Sequence, residues 1–71
     1  MESLELSPAA QRVLAAIAEI EKSGRVQTVQ DVANTSGVDF SIVFDLLSAL
    51  FNAGLVTPDL RLTTAGQQAL S

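Results

Sequence analysis

The chain has 71 residues, 48% hydrophobic and 17% charged, and its four basic against eight acidic side chains give a formal net charge of −4. A chain of this length holds one small domain near the lower limit for a self-sufficient core, and its apolar content is too high for a disordered segment. Cysteine and histidine are both absent, which excludes disulfides and thiolate metal sites and removes the commonest general base, metal ligand and pH switch.

Residues 1–7 read as an N-terminal tail and 8–71 as a single domain. Ser7 is a good N-cap and Pro8 suits the first helical position, where its missing N–H costs nothing. Val13, Ile17 and Ile20 then recur at helical spacing, with Leu14 and Ala18 on the flank. Lys22 complements the dipole of the last turn and Gly24 ends the helix, which is predicted over 8–23. Arg25-Val26-Gln27-Thr28 alternates and reads as a brief strand or an extended connector. Thr28-Val29-Gln30-Asp31 is similar to a capping box with Asp in place of Glu. The second helix turns Val29, Val32 and Ala33 inward and stops near Ser36-Gly37. Asp39 caps a third helix, predicted from Phe40 to Ala53, and Gly54 ends it. Leu55-Val56-Thr57 and Leu60-Arg61-Leu62 flank Pro58-Asp59, a pair that favours a tight turn, so a small antiparallel hairpin is expected. Thr63 or Thr64 caps a last helix through Leu70, which Gly66 weakens.

Several short motifs occur in order along this framework: Asp31-Val32-Ala33, Gly37-Val38-Asp39, then Val43, Leu47, Leu50 and Ala53-Gly54-Leu55-Val56. They resemble winged helix-turn-helix domains of the MarR and ArsR type, and Leu62-Thr63-Thr64-Ala65-Gly66 is similar to the segment that follows the wing in MarR-like proteins. The resemblance covers roughly residues 10–70. It implies a mainly α (α+β) fold: a three-helix core with a short two- or three-stranded wing and a short C-terminal helix. It also implies a DNA-binding regulator whose third helix enters the major groove. The chain departs from that pattern. The expected wing is very short, long dimerisation helices are missing, and the third helix has the wrong charge.

Between Arg25 and Arg61 lie 35 residues with four aspartates and no lysine or arginine. A helix that reads DNA needs cations facing the phosphates. At about 100° per residue, Val43, Leu46, Leu47 and Leu50 share the core face of the third helix, with Ser41, Asp45, Ser48 and Asn52 opposite. Phe40, Phe44 and Phe51 form a stripe beside the core face and are all the aromatic residues in the chain. Ile42, Ala49 and Ala53 flank the core on the other side, so the apolar arc spans roughly 200°, wider than one layer needs. Phe40 and Phe51 are compatible with a central, enclosed helix. Phe44 turns furthest from the core, towards the face that meets DNA in the family.

Two functions follow as expectations. The first is a non-enzymatic protein-interaction module, able to bind itself or another protein through Phe40, Phe44, Asp45, Ser48 and Phe51 and acting in a regulatory role. The alternative is a DNA-binding transcriptional regulator using Arg25, Ser41, Ser48, Asn52 and Arg61, with Arg25 and Arg61 close together at the wing and Arg12 joining them in a dimer. Glu19 and Glu21 read as a solvated face, and Asp31 and Asp39 as caps. No nucleophile–base pair, phosphate loop or metal spacing is present, so neither an enzyme nor a cofactor is expected. No apolar run is long enough for a membrane helix, and MESLELSP lacks the basic and apolar regions of a signal peptide. A cytoplasmic protein without membrane partners is the default expectation.

Overall fold

The computed structural model describes residues 7–25 and 27–70. Four helices follow one another: α1 Pro8–Ser23, α2 Val29–Ser36, α3 Phe40–Asn52 and α4 Thr64–Leu70. Among the described residues, none of these helices is long and apolar enough to cross a membrane.

The caps fall where the sequence puts them. The Ser7 hydroxyl accepts from the Ala10 N–H at 3.1 Å, and Thr28 Oγ1 from the Asp31 N–H at 3.1 Å. Asp39 Oδ2 accepts from the Ser41 N–H at 3.3 Å and from the Ser41 hydroxyl at 2.7 Å. Helix α3 closes through two bonds, Leu55 N–H to the Leu50 carbonyl at 2.9 Å and Gly54 N–H to the Phe51 carbonyl at 3.0 Å. This reversal needs a left-handed residue at Gly54, whose φ is 79°.

Helix α1 is the centre of the molecule. It packs against α2, α3 and α4 and buries Ala10, Val13, Leu14, Ala16, Ile17 and Ile20. Helix α3 meets only α1 and α2 among the helices and buries only Val43, Leu47 and Leu50. It is therefore a peripheral helix with a narrow buried stripe, and the central, enclosed place that would have covered Phe40 and Phe51 belongs to α1 instead.

The expected wing does not form. Among the described residues there is no strand and no sheet, only one isolated antiparallel bridge between Val56 and Leu62. The fold is mainly α, and its sheet component is corrected to that single bridge. Each arm is consumed from both ends. Leu55 is tied back into the end of α3, and Leu60 sits at φ 61°, outside the extended region. Thr63 caps α4, its hydroxyl oxygen accepting from the Gly66 N–H at 3.0 Å. One facing pair remains, flanked by Thr57 N–H to the Arg61 carbonyl at 2.8 Å and Thr63 N–H to the Leu55 carbonyl at 3.1 Å. Of the two readings of 25–28, a brief strand or an extended connector, no strand is seen at Arg25, Gln27 or Thr28, Thr28 is extended, and Val26 lies outside the described residues.

In such a non-hydrogen-bonded pair the backbone groups of Val56 and Leu62 point outward. The Leu62 N–H is met there by the Glu21 carboxylate of α1 at 2.8 Å. Glu21 is half-buried, so its place on a solvated face is corrected, whereas Glu19 is exposed as expected. A side-chain acceptor thus takes the place of a third strand.

Candidate interaction surface

The exposed apolar side chains of the described residues concentrate on α3. Phe44 is 58% exposed, Phe40 and Phe51 each nearly half, and Ile42 on the far side 49%. Phe40, Phe44 and Phe51 fall within about 40° of arc at 100° per residue, so they form one stripe along the helix. All the phenylalanines of the chain are on it.

The stripe borders a groove of about 230 Å³. Phe44, Leu47, Ser48 and Phe51 of α3 line one wall, Val56, Thr57, Pro58 and Leu60 of the hairpin line another, and Val29 of α2 also contributes to the lining. The second wall depends on the turn. The Leu60 N–H donates to the Thr57 carbonyl at 3.0 Å and the Arg61 N–H to Thr57 Oγ1 at 3.1 Å. Pro58 fixes the first turn angle, and a left-handed residue completes a three-residue hairpin loop. Leucine in that conformation costs about 1–2 kcal/mol. The cost is offset by packing Leu60 partly against the core while it lines the groove.

The structure divides the residues expected at a protein interface. Phe44, Ser48 and Phe51 meet in the groove, whereas Phe40 and Asp45 are exposed on α3 outside its lining. Val29, Pro58, Leu60 and the separate exposed Ile42 were not anticipated. They come from other elements or from the opposite face, and helical spacing alone cannot assign them to a shared surface.

The residues expected to contact DNA are scattered. Arg25 and Arg61 do line one recess, with Gly24, Gln27 and Asp59. Arg25 is already engaged: Nη1 is 3.5 Å from Asp31 Oδ1 and Nε donates to Ser23 Oγ at 3.0 Å. That ion pair corrects the reading of Asp31 as a cap, because Thr28 supplies the cap and the Asp31 carboxylate turns to Arg25. The Ser41 hydroxyl is held by Asp39, and Asn52 lies exposed in the last turn of α3. Arg12 lies elsewhere, lining a recess with Glu19 and Thr35. The chain matches no protein-family model, no curated protein and no solved structure at a significant level.

Proposed function

We propose that this chain is a non-enzymatic protein-interaction module of the cytoplasm, acting in a regulatory role through the exposed face of α3. The observation that carries this reading is the placement of every phenylalanine on one half-exposed stripe beside an apolar groove. A 71-residue chain that leaves its only aromatic residues about half exposed forgoes roughly half of the 1.5–3 kcal/mol that full burial of each would bring. Contiguous exposed apolar surface of this kind marks an interaction site. Light scattering and pull-down of the purified chain are expected to show self-association or a retained partner, weakened about tenfold or more by Phe44→Ala. A monomer without partners, unchanged by that substitution, would refute the reading.

One observation favours a second reading, a DNA-binding regulator: Arg25 and Arg61 share a recess. Asp59 lies in the same recess and Asp31 already holds Arg25, so little positive charge is left for phosphates. A gel shift at low salt that is lost on Arg61→Ala would support DNA binding. No duplex binding is expected.

A further inference from the structure

We propose that the α3 groove takes a basic amphipathic helix from another protein rather than a second copy of this chain. This rests on reading α3 as a protein-binding face and specifies the partner. At about 230 Å³ the groove falls below the roughly 300–1,000 Å³ of small-molecule sites. It suits one or two large apolar side chains presented by a macromolecule. Phe44 and Phe51 are two turns apart on one wall, the spacing at which a docked helix offers its own apolar ridge. The hairpin wall contributes one bridge and has no strand to template an added one.

Charge selects between partners. Residues 26–60 contain four aspartates and no lysine or arginine. Asp45 follows Phe44 and Asp59 follows Pro58, and both are exposed with no ion pair among the described residues. Arg61 shares a recess with Asp59, which leaves Asp45 the less compensated of the two. A second copy would meet this face with the same face, acid against acid, because a two-fold contact is self-complementary. Two chains of net charge −4 also repel at long range. A helix whose leucine ridge is flanked by lysines satisfies both the groove and the aspartates.

The probes are two synthetic peptides of about 18 residues, long enough for helix formation. They share leucines at helical spacing and carry either lysine or glutamate elsewhere. In NMR titration of the full chain, the lysine peptide is expected to shift the amide signals of Phe44, Ser48, Phe51 and Leu60. Its affinity is expected to fall about tenfold with Phe44→Ala, and likewise with Asp45→Lys combined with Asp59→Lys. The glutamate peptide is expected to bind at least about tenfold more weakly. All three positions are exposed, and circular dichroism checks that the variants fold. Equal binding of both peptides overturns the charge requirement but leaves the interaction module standing. Lysine-peptide binding that ignores Phe44→Ala is ionic adhesion, and it overturns the proposal. Failure of both peptides alongside a Phe44-dependent dimer makes the occupant a second copy and also overturns it. Failure of both with no Phe44-dependent association removes the module reading as well.

Discussion

Replacing Gly66 by alanine is expected to destabilise the domain by about 2–4 kcal/mol, against the usual sign of glycine-to-alanine changes inside helices. On propensity alone the change gains about 1 kcal/mol. Gly66 is buried, however, and a Cβ built there would collide with the Leu55 carbonyl oxygen and come within 3.3 Å of the Leu62 side chain. The first obstacle is backbone, held by the Thr63 N–H at 3.1 Å, and cannot swing aside like a flexible side chain. Relief requires α4 to lift off the hairpin, which loosens the Thr63 cap and the packing of Ala69 against the core. A domain of this size has a total stability of about 4–10 kcal/mol, so the loss is a large share. Urea unfolding measures it, with Gln68→Ala at an exposed position of α4 expected to stay within about 0.5 kcal/mol. A neutral or stabilised Gly66→Ala protein would mean that α4 does not rest on Leu55.

Gly66 also marks a boundary of what sequence can disclose. The helices are legible because their signals are local. Ser7-Pro8, Thr28 and Asp39 begin helices at the residues where caps and spacing place them, and α3 ends within one residue of its predicted boundary. The role of Gly66 is tertiary. Only the approach of residue 55 turns a weak helix former into the one residue that fits. The wing fails for a related reason. Its arms have the composition of strands, but each end is claimed by a competing local structure: the closure of α3 at Leu55, the left-handed turn at Leu60 and the cap of α4 at Thr63. Composition cannot reveal that three residues per arm leave one free pair.

The candidate site divides in the same way. The phenylalanine stripe is a spacing on one helix and can be read directly. Whether it is buried depends on which helix is central, and the apolar arc of α3 does not decide that. Helix α1 has the central place because it meets all three other helices, and α3 keeps a surplus of apolar face. The rest of the lining, with Val29, Pro58 and Leu60, comes from other elements, and no periodicity links them. The scarcity of cations is the feature that carries furthest, since it falls on the same face as the stripe.

Glu21→Ala is expected to cost about 1.5–3 kcal/mol, the usual worth of a hydrogen bond to a charged group whose partner is left unsatisfied. An exposed glutamate on a solvated face would cost less than about 0.5 kcal/mol, so the measurement separates the two roles. The Glu21 carboxylate accepts from the Leu62 N–H at 2.8 Å across a sequence separation of 41 residues. It anchors the bridged hairpin to α1 where no neighbouring strand offers a carbonyl. Glu21→Gln keeps an acceptor oxygen of nearly the same reach and loses only the charge, so it should retain about half of the effect. Amide hydrogen exchange gives the sharper test. The Leu62 N–H should be protected in the native chain, exchange fastest in Glu21→Ala and fall between these in Glu21→Gln. The protection of Val32 and Val43 should fall only by the loss of global stability. The consequence reaches the groove as well, because Val56 and Leu60 belong to the hairpin that Glu21 holds. Binding at the α3 groove should therefore weaken in Glu21→Ala even though residue 21 does not line it. If Leu62 exchanges equally fast in all three proteins, the hairpin is held by its own apolar side chains, and Glu21 returns to the solvated face.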